Sequence, residues 1–78
     1  MEEKTSELAT VRRKEIGGRI REIRGRRGVS QEVLAKEIGC SRIKLNRVEN
    51  GRAELSATEM DLLAGSCKVK ISFFFERG

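Results

Sequence analysis

Apolar positions recur along this chain at helical spacing, and glycines break the pattern at short intervals. Ile16, Ile20 and Ile23 stand at i, i+4 and i+7, which predicts one stripe of a helix from near Arg13 to Arg26. Leu34 and Ile38, four apart with small Ala35 beside them, share a face of a second helix, Gln31 to Ile38. Leu45 and Val48, three apart, do the same in a third, Arg42 to Asn50. Met60, Leu63, Ala64 and Cys67 form the buried face of a fourth. The boundaries carry matching signals. Gly28, Gly39 and Gly51 suit helix ends, and Ser30 and Ser41 suit helix starts. Ser56-Ala57-Thr58-Glu59 is a capping box, in which the Ser and Glu side chains reciprocally satisfy backbone N–H groups. Gly17 and Gly18 each cost about 1 kcal/mol relative to Ala inside a helix. That cost points to close packing there or to a later helix start. The tail is ambiguous: Val69, Ile71, Phe73 and Phe75 alternate with their neighbours as a strand would.

Composition narrows the class. The chain has 78 residues, 37% apolar and 37% charged, so it holds one small domain, expected over 13–78. Residues 1–12 are polar and read as a flexible N-terminal arm, with one weak helical turn at Leu8 and Val11 as the alternative. No run approaches the roughly 18 apolar residues of a membrane span. The N-terminus lacks the apolar segment of a secretory signal. A cytoplasmic location is the expectation. The two cysteines, Cys40 and Cys67, form no CxxC, and the chain has no His. No metal and no cofactor are expected, and both cysteines read as small reduced core residues. Without His or Tyr, a nucleophile–base pair or a phosphate-binding Gly loop, the chain does not read as an enzyme.

Charge turns attention to polyanions. Seventeen basic residues against 12 acidic give a net charge of +5. Arg42, Lys44, Arg47 and Arg52 lie on or just beyond the third helix, and Arg24, Arg26 and Arg27 precede the second. Between the second and third helices sits Gly39-Cys40-Ser41, a short Gly-containing turn of the helix-turn-helix kind. Ala35 falls where the two helices cross, and Cys40 suits the inside of the turn. The second helix of such a unit can enter the major groove of DNA.

Position by position, Gln31–Asn50 resembles the helix-turn-helix of the Cro/cI-type (Xre-like) repressor family. That family has Ala at the fifth position, Gly at the ninth, and apolar residues at the fourth, eighth, tenth, fifteenth and eighteenth. Leu34, Ala35, Ile38, Gly39, Cys40, Leu45 and Val48 meet the whole pattern. The resemblance runs from about Ile16 to Glu76. It departs at Leu55, where Pro is usual, and at Cys67, where Leu is usual. It implies an all-α, compact, five-helix lambda-repressor-like domain. Val69 would then enter the core, and a short fifth helix would begin near Ile71 or Ser72. A strand pairing with a second subunit is the alternative for the tail.

The site follows from a recognition helix that presents its N-terminal side chains to base edges. With Ser41 as cap, Arg42 and Arg47 are candidate base readers, because Arg suits the O6 and N7 acceptors of guanine. Ile43 is an apolar contact suited to a thymine methyl. Ser41, Lys44 and Asn46 complete the DNA-binding set, and the alternative for Arg42, Arg47, Lys44 and Asn46 is a solvated surface group. Gln31 opens the second helix, whose free N–H groups suit phosphate. Asn50 and Arg52 follow as backbone contacts. By resemblance, Arg24 pairs with Glu49 and locks the third helix against the first.

Three adjacent Phe cannot all enter one small core. Phe73, Phe74, Phe75 and Leu55 are therefore the expected surface of a homodimer. The resulting reading is a sequence-specific regulator of transcription, a dimeric repressor whose partner is a double-stranded DNA operator. An antitoxin or a restriction-modification controller, binding its own operator and a protein partner, is the alternative. A helix-turn-helix fold used only for protein contacts is a different class, which the basic face of the third helix disfavours.

Overall fold

The computed structural model describes residues 2–76, with side chains from Glu7 onward. Met1 and residues 77 and 78, at the outer ends of the expected arm and domain, lie outside the described residues. Helix α1 spans Glu2–Arg27, α2 Gln31–Ile38, α3 Arg42–Glu49 and α4 Ala57–Cys67, and a 3₁₀ helix, Ile71–Phe75, follows. The order is all-α, as expected, with α2 and α3 as the helix-turn-helix pair. No helix among the described residues is long and apolar enough to cross a membrane.

Capping chemistry sets these boundaries. The Ser30 hydroxyl accepts from the Val33 N–H at 3.1 Å, and the Ser41 hydroxyl accepts from the Lys44 N–H at 3.0 Å. Gly39 closes α2 at φ 76°, in the left-handed region that favours glycine. At Ser56 both halves of the capping box are made: Ser56 N–H to Glu59 Oε1 at 2.8 Å, and Glu59 N–H to Ser56 Oγ at 3.1 Å. Lys68 ends α4 at φ 57°, an unusual conformation for a residue with a Cβ.

The core joins all five elements. Ile20 and Ile23 of α1 meet Leu34, Ala35 and Ile38 of α2, Leu45 and Val48 of α3, Met60, Leu63, Ala64 and Cys67 of α4, and Phe74 of the 3₁₀ helix. Ile16 and Cys40 are only partly buried at its margin. Helix α1 packs on α3 and the 3₁₀ helix, and α2 packs on α3 and α4.

Glycine permits the closest of these approaches. A Cβ on Gly17 would fall 2.7 Å from the Glu49 carbonyl oxygen and closer still to that of Val48. A Cβ on Gly51 would sit 3.0 Å from Lys14 Cα. The middle of α1 thus lies directly against the end of α3. Of the two readings of the Gly17-Gly18 pair, close packing holds at Gly17, while Gly18 faces open space.

Three expectations need correction. Helix α1 begins at Glu2, not near Arg13, so the segment read as an arm continues the helix. Its Glu, Leu, Ala, Arg and Lys are good helix formers, and extending a helix already anchored by packing needs no new nucleus. The fifth element is a 3₁₀ helix, so the domain has four α-helices and one 3₁₀ turn among its described residues, without the tail strand. Phe73 N–H bonds to the Lys70 carbonyl at 2.9 Å, the tighter spacing of that helix type. The β-branched and aromatic residues of ISFFF favour an α-helix weakly. Finally, Phe74 is fully buried and cannot form a surface. Phe73 packs edge-on against it at 5.2 Å, beneath the guanidinium groups of Arg19 and Arg26. Only Phe75 stays exposed.

Candidate nucleic-acid interface

Helix α3 is divided lengthwise. Leu45, Val48 and Glu49 are buried, while Arg42, Ile43, Asn46, Arg47 and Asn50 are exposed. Ile43 has 69% of its surface free, the most of any large hydrophobic among the described residues. Arg42, Arg47 and Arg52 make no salt bridge to a described residue. Arg19, Arg26, Arg27 and Lys36 on the other helices are all paired with Glu. The stretch 42–52 therefore concentrates uncompensated positive charge around one exposed helix.

A buried carboxylate ties that helix to α1 and α2. Arg24 Nε donates to Glu49 Oε2 at 2.8 Å, and Arg24 Nη2 donates to Oε1 at 3.0 Å. The hydrogen bond to Glu49 raises the Arg24 pKa, against the opposing effect of burial. Gln31 Nε2 donates to the same Oε1 at 3.1 Å, and Gln31 Oε1 accepts from Asn46 Nδ2 at 3.4 Å. Gln31 therefore braces α3 from the first residue of α2.

The other flank of α3 is tied to α4. Lys44 Nζ lies 2.8 Å from Glu59 Oε1. Together with the Ser56 N–H, this ammonium holds the Glu59 carboxyl below the usual carboxylate range. Lys44 is half-buried and turned toward α4, away from the exposed ridge of Ile43, Asn46, Arg47 and Asn50. Ser41 spends its hydroxyl on the cap. In the turn between the helices, burial pushes the Cys40 thiol up.

Sequence reasoning passed over Arg21. It stands three residues before Arg24 on α1, hence beside it on the same face. Its Nη2 donates to Asn50 Oδ1 at 3.1 Å and to the Glu49 carbonyl at 3.4 Å. The signal was present: once Arg24 is set against Glu49, the preceding turn of α1 must flank the end of α3. The Lys44–Glu59 pair was also missed, because Glu59 was read only as a capping residue.

The helix-turn-helix fold is shared with known proteins. The family model described as a helix-turn-helix domain matches residues 15–70. An uncharacterized transcriptional regulator in the ATPase CF(0) region of Rhodospirillum rubrum is 36% identical over 66 residues. That match takes in 81% of this chain but only 61% of the relative's length. The restriction-modification controller protein C.AhdI from Aeromonas hydrophila superposes with a TM-score of 0.78 at 30% identity. That superposition covers 85% of this chain and 96% of the controller. The clp gene regulator ClgR from C. glutamicum has the same fold, with a TM-score of 0.73 at 24% identity over 81% of this chain and 82% of its own. From the braced α2–α3 pair and these likenesses together, the chain belongs to the Cro/cI-type (Xre-like) helix-turn-helix family.

Proposed function

We propose that this chain is a sequence-specific double-stranded DNA-binding transcriptional regulator, a dimeric repressor that reads the major groove with α3. The observation that carries this reading is the exposed ridge of α3, with unpaired Arg42 and Arg47 beside exposed Ile43 on a helix locked from behind by Arg24 and Gln31. Arg42 and Arg47 read guanine edges and Ile43 packs on a thymine methyl. Asn46 borders the same ridge. Arg52 and the start of α2 at Gln31 take backbone phosphates, which fix register without reading sequence. Lys44 and Ser41 act chiefly through structure, one against Glu59 and the other as the cap of α3. The chain works by binding and not by catalysis, in the compartment that holds the DNA.

A single such motif reads few base pairs, so two copies bind half-sites about one helical turn apart. With Phe74 in the core, the surface for pairing narrows to Phe75 and Leu55. These border a cleft against Arg13 and Ile16 of α1. The likeness to C.AhdI over nearly all of that chain favours a restriction-modification controller as the particular kind of regulator.

A fluorescence anisotropy titration tests the reading. It compares DNA upstream of the protein's own gene with a scrambled duplex at two salt concentrations. A preference of about a thousandfold or more is expected. Equal, steeply salt-dependent binding to both duplexes would overturn an operator at that locus.

A further inference from the structure

We infer that Arg21 of α1 is a DNA phosphate contact at the C-terminal edge of the reading surface, and that Asn50 is its holder. This rests on α3 being the DNA-reading helix.

The geometry begins with an excess of positive charge around one buried carboxylate. Glu49 is neutralised by Arg24, which reaches both of its oxygens at 2.8 and 3.0 Å. The Nε of Arg21 stands farther off, 3.6 Å from Glu49 Oε1, and its side chain is 55% exposed. Two guanidinium groups thus face one carboxylate, and the charge left over belongs to the solvent-facing Arg21. Its guanidinium is nonetheless held. It donates to Asn50 Oδ1 at 3.1 Å and to the Glu49 carbonyl at 3.4 Å, at the end of α3 where the helix dipole attracts a cation.

Asn50 is fully occupied in this arrangement. Its Oδ1 accepts from Arg21, and its Nδ2 donates to the Asn46 carbonyl at 2.8 Å and to Asn46 Oδ1 at 3.4 Å. An amide spent on both sides has little left for a phosphate oxygen. A pre-set guanidinium with free donors suits one well, by charge and by its planar fork. Because Asn50 follows α3 directly and bonds back to Asn46 on the exposed ridge, Arg21 lies beside that ridge and extends it onto α1.

The test measures binding of wild type, Arg21→Ala, Arg21→Lys, Asn50→Ala and the Arg21→Ala/Asn50→Ala double variant. The probes are the upstream duplex and its scrambled counterpart, titrated over a range of salt. Arg21→Ala is expected to weaken both duplexes equally, by about three- to tenfold at low salt, and to reduce the salt slope by about 0.9. Arg21→Lys retains the slope. Asn50→Ala weakens binding in the wild-type background and adds nothing to Arg21→Ala, which a purely structural Asn50 would not show. An unchanged slope in Arg21→Ala, or the same Asn50→Ala loss in both backgrounds, overturns the assignment. Arg47→Ala separates the two levels of argument. If it abolishes sequence preference while Arg21→Ala keeps the wild-type slope, only the Arg21 assignment falls. If wild type binds neither duplex, the functional reading falls with it.

Discussion

Arg24 closes on Glu49 with two parallel hydrogen bonds, and the carboxylate it meets is wholly shielded from solvent. The relation joins α1 to α3 across 25 residues of chain. Removing one member of a buried pair is more harmful than never having had it, because the other charge is left without compensation. Arg24→Ala is expected to cost about 2–3 kcal/mol, softened by the nearby Arg21 and Gln31. That corresponds to roughly 10 °C or more in Tm for a domain of this size. Arg42→Ala is expected to leave Tm within a degree or two and to abolish specific DNA binding. Thermal melting alongside anisotropy separates the two, and equal melting losses would sink this division of labour.

Gly17 and Gly18 are adjacent in sequence and opposite in environment. Intrinsic propensity alone favours Ala at either by about 1 kcal/mol. At Gly18, where a Cβ meets open space, Ala should deliver most of that as a higher denaturation midpoint. At Gly17 the new methyl would meet the carbonyls of Val48 and Glu49, which are backbone and cannot swing aside. Gly17→Ala should destabilise, and it should also weaken DNA binding by shifting α3. Urea titrations of the two variants give opposite signs if the contact is as described.

Arg27 and Glu37 pair at 2.7 Å, and Ser66 of α4 bonds to the same carboxylate. These contacts hold the Glu37 carboxyl at about 2, against an ordinary value of 4.5. The folded state therefore binds fewer protons than the unfolded state between those values. The pair stabilises fully above about 4.5, and its contribution is lost as pH falls toward 2. Glu37→Gln should lower Tm at neutral pH, with the gap to wild type closing across that acid window. A gap that stays constant down to pH 2 would contradict the assignment.

Phe74 and Phe75 divide core from surface. Phe74→Ala should cost about 3–5 kcal/mol, enough to leave so small a domain largely unfolded. Phe75→Ala should keep the melting behaviour of a folded monomer and shift sedimentation toward lower mass. A mass unaffected by both protein concentration and Phe75→Ala would remove the pairing surface.

The readability of this chain divides along the same lines. The α2–turn–α3 unit was legible because its signals are local: four-residue spacing at Leu34 and Ile38, a left-handed Gly39, a capping Ser41. The buried face of α4 was legible for the same reason, with its capping box. The start of α1 was not. Nothing between Glu2 and Arg13 forbids or demands a helix, and its continuation depends on an anchored stem that local pattern does not reveal. The tail misled because the alternation of Val69, Ile71, Phe73 and Phe75 mimics a strand, whereas a single anchor, Phe74, lies out of that register and decides the burial. Among the candidate contacts, residue types indicated which side chains can meet DNA. Only tertiary placement separated free Arg42 and Arg47 from Lys44, engaged with Glu59, and brought Arg21 into view.

The two faces of α3 have no residue in common. Leu45, Val48 and Glu49 hold the fold, while Arg42, Ile43 and Arg47 support none of it through salt bridge or core contact. Substitution at those three positions is thus nearly free of structural consequence, and under the proposed reading of α3 the target sequence can drift without a loss of foldability. Asn46 and Asn50 are different, since each is bonded to a neighbour in another helix. On the proposed reading, a redesign of specificity would find three independent dials on this helix and a fourth, Asn46, that turns only together with Gln31, whereas Asn50 is tied to Arg21.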